Sequence, residues 1–220
     1  MKLFLLTILI IFLTGCAQRE NSRQTQSRID KSAIRNLKLV DSLGNISFLL
    51  PLRYDTTYIW TNYSDCGKPC NKVEYGFQPK NLRIYRESGW IWIGNPQDSI
   101  ERFVISHSGY FPFHNNSDSN LIFLTHTHKK LNILSDPAAY RINSDNIEKI
   151  GDRFFSIIVI DIYDSIKHQF LKKLLASTSI KGNIIDFNYE LLTKKNDSLT
   201  KKFIDNSNLY LHSIKINNSR

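Results

Sequence analysis

The sequence predicts an α+β domain built mainly from antiparallel sheet. Three observations lead there. Short β-rich runs separated by turn residues dominate the chain. Ile185, Phe187, Tyr189 and Leu191 alternate along Ile184–Leu192, which puts them on one face of an extended strand. Asp197-Ser198 opens a last stretch in which Phe203, Tyr210 and Ile214 recur at roughly helical spacing.

In chain order, the first twenty residues (MKLFLLTILIIFLTGCAQRE) come before the fold. Lys2 is the only charge among the first seventeen, and Leu3–Leu13 is apolar apart from Thr7. At about 1.5 Å per residue that run covers about half of a ~30 Å hydrocarbon core, so it reads as a secretory signal rather than a spanning helix. Leu13-Thr14-Gly15-Cys16 resembles the lipobox of bacterial lipoproteins at all four positions. The resemblance implies that residues 1–15 are removed, that Cys16 carries diacylglycerol, and that its new amine is acylated with a chain such as palmitate. One acyl chain binds a membrane marginally, and two or more anchor stably. Ala17 stands where an Asp marks inner-membrane retention in enteric relatives, so the resemblance points to the outer membrane of a diderm bacterium, on its periplasmic or surface side. The alternative is an ordinary signal peptide with an incidental cysteine.

Residues 16–36 (CAQRENSRQTQSRIDKSAIRN) carry almost no large apolar groups and read as a lipidated cysteine followed by a flexible tether. Residues 37–220 are then a single domain large enough for a real core. Lys and Arg outnumber Asp and Glu by 29 to 20, a net charge of +9. The lysines are scattered, with doublets only, so they read as solvated surface; no nucleic-acid partner is expected of an exported chain. With Cys16 taken by lipid, Cys66 and Cys70 remain, an even pair that in an exported chain most often forms a disulfide, here across Gly67-Lys68-Pro69; the alternatives are a redox-active pair, against which the spacing is not C-x-x-C, and half of a zinc site, which lacks a second pair.

Leu37–Val40 and Ile46–Leu50 flank Ser42-Leu43-Gly44-Asn45, a hairpin signal. Thr57–Tyr63 and Lys72–Phe77 flank the cysteine loop, Leu82–Glu87 and Trp90–Gly94 are joined by Ser88-Gly89, and Ile100–Ser106 is β-rich. Gly109–Asn120 reads as loop, and Leu121–Leu134 fits strand or helix equally. Arg153–Tyr163 (RFFSIIVIDIY) is apolar on both faces, the mark of an interior strand. Lys181-Gly182-Asn183 is a turn.

Lys167–Ile180 has the spacing of an amphipathic helix and also reads as a strand. The order of a strand, KHQF, a long β segment, a Gly turn, a further strand and a terminal F-I-D-N-S…S-I-K-I resembles the C-terminal half of PsbP-like proteins. That resemblance implies an antiparallel sheet between helices and a strand over 167–180. It also implies non-enzymatic accessory work at membrane complexes, and it carries over no functional residue.

Thr125-His126-Thr127-His128 would set His126 and His128 on one face of a strand, where they could grip a metal with a third ligand; on a helix they would point apart. Ser106-His107-Ser108-Gly109 is not a nucleophile elbow, and Asp161 and Asp164 read as strand-end solvation. In the Ser88-Gly89 hairpin one side carries Tyr85, Trp90 and Trp92, flanked by Arg83 and Glu87, and the other carries Ile84, Ile91 and Ile93. Either both faces are covered or the aromatic one is a platform for a sugar or peptide. These residues predict a lipid-held envelope protein without cofactor, a non-enzymatic accessory or binding subunit meeting an envelope complex or glycan. The alternative is a hydrolase or metal-dependent enzyme centred on His126 and His128.

Overall fold

A computed structural model describes residues 31–67, 70–84, 99–108, 118–135 and 141–217. The chain divides into two units, Met1–Ser32 and Ala33–Arg220, and the first strand of the second takes in Ser32. This second unit is α+β and mainly antiparallel sheet, as the sequence predicts.

A seven-stranded antiparallel sheet runs in the order β3 (Thr56–Asn62), β4 (Lys72–Gln78), β5 (Ile100–Ser108), β9 (Asn183–Thr193), β8 (Gln169–Ile180), β7 (Arg153–Asp164), β6 (Ile142–Ile150). A smaller sheet joins β1 (Ser32–Leu39), β2 (Gly44–Pro51) and β10 (Lys215–Asn217). The turns follow from local chemistry. Lys181 and Gly182 both take positive φ between the paired Ile180 and Asn183, the backbone of a two-residue hairpin turn. Between β7 and β8 the Asp164 carboxylate accepts from the backbone N–H of Ile166 and Lys167.

One face of the large sheet makes the core. Ile185, Phe187, Tyr189 and Leu191 alternate inward on β9, and Phe103 stacks on Tyr189 at 4.2 Å between ring centroids. The small sheet covers the β4–β5 end, with Phe48 edge-on to Phe77 and to Phe103. Helix α2 (Ser198–His212) covers the β8–β9 end with Phe203, Tyr210 and Leu211. Asp197 caps it by accepting from the Thr200 N–H, and Ile214 is buried just past its end.

Helix α1 (Asp118–Leu134) lies over β6, β7 and β8 on the opposite face, and its packing is the reverse of the usual amphipathic arrangement. Toward the sheet it sends Ile122 together with polar groups. His126 bridges Ser156 Oγ and Asp145, Lys129 Nζ donates to Ser177 Oγ and Asp186, and Lys130 Nζ donates to Asp145. Toward solvent it turns Phe123, Leu124, Leu131 and Leu134, each more than half exposed.

Several expectations change here. The ambiguous Leu121–Leu134 is helix, begun at Asp118, so the end of the expected Gly109–Asn120 loop is helical. Residues 167–180 are strand from Gln169 onward. β1 starts at Ser32, so residues 32–36 of the expected tether are strand. β6 and β10 went unread in the sequence. The lipobox residues and the hairpin aromatics lie outside the described residues.

Candidate functional site

The part of the α1-bearing face that the helix leaves uncovered is a groove of about 250 Å³ across β4, β5, β9 and β8. Directly opposed residues in an antiparallel sheet share a face, so the register writes the face around the groove as three rows. Trp60, Glu74, Ser106 and Asp186 make the first. Tyr58, Gly76, Val104, Asn188 and Leu175 make the second, and Arg102, Glu190 and Lys173 the third.

Gly76 is required where it stands. A Cβ there would collide with the Tyr58 ring, so the ring occupies space that only a bare backbone leaves open. Trp60 sits 4.5 Å from Tyr58 between ring centroids, tilted by 30°, and the two form a wall at the β3 edge.

The charges are interlocked. Lys72 and the Trp60 indole N–H occupy the two oxygens of Glu74. Arg102 and Lys173 occupy the two oxygens of Glu190, and Arg102 also donates to the Tyr58 hydroxyl. Burial pushes both carboxyls up in pKa, but these bonds outweigh it and hold Glu74 and Glu190 below the ordinary glutamate value. Burial lowers the Arg102 guanidinium, and Glu190 more than reverses it. Burial raises the Tyr58 phenol. Two groove atoms have no hydrogen-bond partner in this structure: Ser106 Oγ, on a residue only 1% exposed, and Asn188 Oδ1. A larger cleft, about 590 Å³, opens at the sheet end near Arg53, Lys80 and Thr200. Polar groups there are paired with one another: Arg53 with Glu101, the Lys80 N–H with Asp55, and Thr200 with Asp197.

The residues singled out in the sequence fall elsewhere. His126 and His128 are on α1; His126 is tied to Ser156 and Asp145, and His128 is exposed. No group of three His, Cys, Asp or Glu able to hold a metal occurs among the described residues. His107 is buried in the core, stacked on Tyr75, with its Nδ1 at 2.7 Å from the Ser108 carbonyl oxygen; burial pushes it below the ordinary histidine value. Asp161 is clamped by Lys172, and Asp164 serves its turn. Arg83 is exposed, and Tyr85, Trp90 and Trp92 lie outside the described residues. Cys66 and Cys70 form a pair compatible with a disulfide, Cα atoms 5.8 Å apart.

Reading the sequence missed the groove entirely. Its only trace was alternation: Glu74, Arg102, Ser106, Asn188 and Glu190 occupy the polar phase of strands whose other phase is core, which reads as plain solvent-facing surface.

No protein family matches this chain, and no curated protein does. Among solved structures it is similar to cyanobacterial PsbP (CyanoP) from Synechocystis sp. PCC 6803, in solution, with a TM-score of 0.47 and 10% identity. The likeness covers 86% of this chain and 96% of that one. This is a weak PsbP-like resemblance, and no ligand, partner or activity is taken from it.

Proposed function

We propose that the chain is a lipid-anchored envelope lipoprotein of a diderm bacterium, held at the outer membrane by acylated Cys16, and that it works as a non-enzymatic accessory subunit docking through α1. The observation that carries the docking is the reversed helix. Phe123, Leu124, Leu131 and Leu134 face outward while His126, Lys129 and Lys130 face the sheet. Exposed apolar side chains clustered on one helix face mark an interaction site. No acidic residue lies among the exposed residues of that face, which are Asn120, Phe123, Leu124, Thr127, His128, Leu131 and Leu134. The groove carboxylates support binding over proton transfer, since a glutamate held ionised by two donors is a poor general acid at neutral pH. None of the described helices is long and apolar enough to cross a membrane.

The test is purification of the tagged chain from native membranes. The wild type should come out with one envelope partner in fixed ratio. Leu124→Asp with Leu131→Asp should lose that partner at unchanged melting temperature. A wild type that emerges alone contradicts the docking. Metabolic labelling with a fatty acid tests the anchor separately: label should vanish in Cys16→Ser, and its persistence refutes the lipid at Cys16. Stoichiometric zinc in the purified chain, lost in His126→Ala, would instead favour the metal-enzyme alternative.

A further inference from the structure

We infer that the chain pairs with a second copy of itself, β3 against β3, in an antiparallel register centred on Ile59. The pairing is independent of docking through α1, which lies over β6, β7 and β8 at the other end of the sheet.

Among the described residues the strand order leaves four edges, β3 and β6 in the large sheet and β1 and β10 in the small one. An edge strand is a template for further pairing, and charge, bulges and short length are the usual guards against it. Three of the four carry such guards. β6 holds Asp145, Glu148 and Lys149, and its register shifts between Ile142 and Ser144. β1 holds Arg35 and Lys38, and β10 is three residues long and begins with Lys215. β3 (TTYIWTN) has no charge and no proline, and it keeps an unbroken register on β4 over all seven residues.

Exposure agrees with an uncovered edge. Ile59 lies opposite Tyr75 and so belongs to the phase of β3 that faces the core, yet it is 60% exposed where Tyr75 is 1%. Thr57, in the same phase, is also exposed, and Tyr63, one residue past the strand, is 85% exposed.

The order of residues along the strand points to a second copy rather than a foreign strand. Only a register centred on Ile59 pairs all seven residues of β3 with themselves. It sets Ile59 opposite Ile59, Thr57 opposite Thr61, Tyr58 opposite Trp60 and Thr56 opposite Asn62. Aliphatic, threonine and aromatic side chains therefore meet their own kind on shared faces, pairs that stabilise an antiparallel sheet. The backbone fits as well. Opposed positions are of the same phase, so whichever phase of β3 turns its N–H and C=O groups outward meets the same phase of the copy, and about six to eight hydrogen bonds form. One step beyond the strand the register brings Tyr63 opposite Asp55 of the copy. One Asp55 oxygen already accepts from the Lys80 N–H, and the phenol can donate to the other. Two-fold symmetry makes each of these contacts twice, as a self-complementary interface requires.

Two experiments on the full chain test the pairing. In detergent, density-matched sedimentation should find the wild type at twice the chain mass. Ile59→Lys puts two like charges face to face at an exposed position and should weaken association at least about tenfold, with the circular dichroism of the fold unchanged. Leu124→Asp with Leu131→Asp should leave the dimer intact, so loss of docking through α1 and loss of this pairing read separately. Mild oxidation in native membranes, before extraction, tests the register. Directly opposed Cα atoms lie about 4.5–5.5 Å apart, within the span of a disulfide, so Ile59→Cys should give a covalent dimer. Thr57→Cys should not, because residue 57 and its copy stand four positions apart, about 14 Å along the strands. A wild type that sediments as a monomer overturns the inference, as does a dimer that Ile59→Lys leaves unchanged. So does a Thr57→Cys chain that links as fully as Ile59→Cys, or an Ile59→Cys chain that links to a different protein instead of its copy.

Discussion

Replacing Gly76 with alanine should cost stability only while Tyr58 is in place. The added methyl would occupy the space of the Tyr58 ring, so the ring must swing off the sheet. Two interactions go with it. The Tyr58–Trp60 ring pair is worth about 0.5–1.5 kcal/mol beyond burial. The bond from Arg102 to the phenol is worth about 1.5 kcal/mol at a half-buried site, the low end for a charged donor. Against them stands a gain of roughly 0.5–1 kcal/mol from replacing a strand glycine, whose backbone loses the most freedom on folding. The net cost should be about 1–2.5 kcal/mol. In a Tyr58→Ala background there is no ring to displace, so Gly76→Ala should be neutral or stabilising by up to about 1 kcal/mol. Urea denaturation of the four chains of this cycle, with unchanged slope, measures the difference directly. An equal cost in both backgrounds would refute the account of the wall.

The core and the cysteine loop set three further outcomes. Phe103→Ala, which removes a fully buried ring touching Phe48, Phe77 and Tyr189, should cost about 3–5 kcal/mol by thermal or urea unfolding. His107 has its folded pKa below the unfolded value of about 6.5, so the folded state binds fewer protons. The stability it contributes is complete above pH about 6.5 and is lost as pH falls toward the lowered folded value; in His107→Gln this slope should disappear, while losses from the Glu74 and Glu190 pairs persist at lower pH. Unreduced mass spectrometry should find Cys66 and Cys70 linked. Because the loop they close is so short, Cys66→Ser with Cys70→Ser should cost at most roughly 2 kcal/mol and leave folding intact.

How much of this was legible varies with how strictly local pattern obeys geometry. β9 alternates without a break and α2 carries its own cap, so both were readable. β7 showed apolar residues in both phases because α1 and the core cover its two sides. For α1 itself the two faces cancel: leucines and Phe123 lie outside and His126, Lys129 and Lys130 inside, so no helical period stands out. β6 is a polar edge strand with its register broken between Ile142 and Ser144, which hides the alternation. The groove needed topology. Its residues come from strands far apart in sequence, and only the order β4-β5-β9-β8 sets Glu74, Ser106, Asn188 and Lys173 beside one another. The Tyr85, Trp90 and Trp92 side of the expected hairpin was the aromatic platform read from sequence; Tyr58 and Trp60, two apart on β3, form the wall that the structure describes.

Docking through α1 is most directly tested by crosslinking in living cells. A photoreactive amino acid placed at Leu124 or Leu131 of the otherwise native chain should give one discrete adduct on irradiation. The same group at Lys215, an exposed position on the small sheet, should give none. Irradiation that yields no adduct from either α1 position, or identical adducts from all three, would contradict an accessory subunit that docks through this helix.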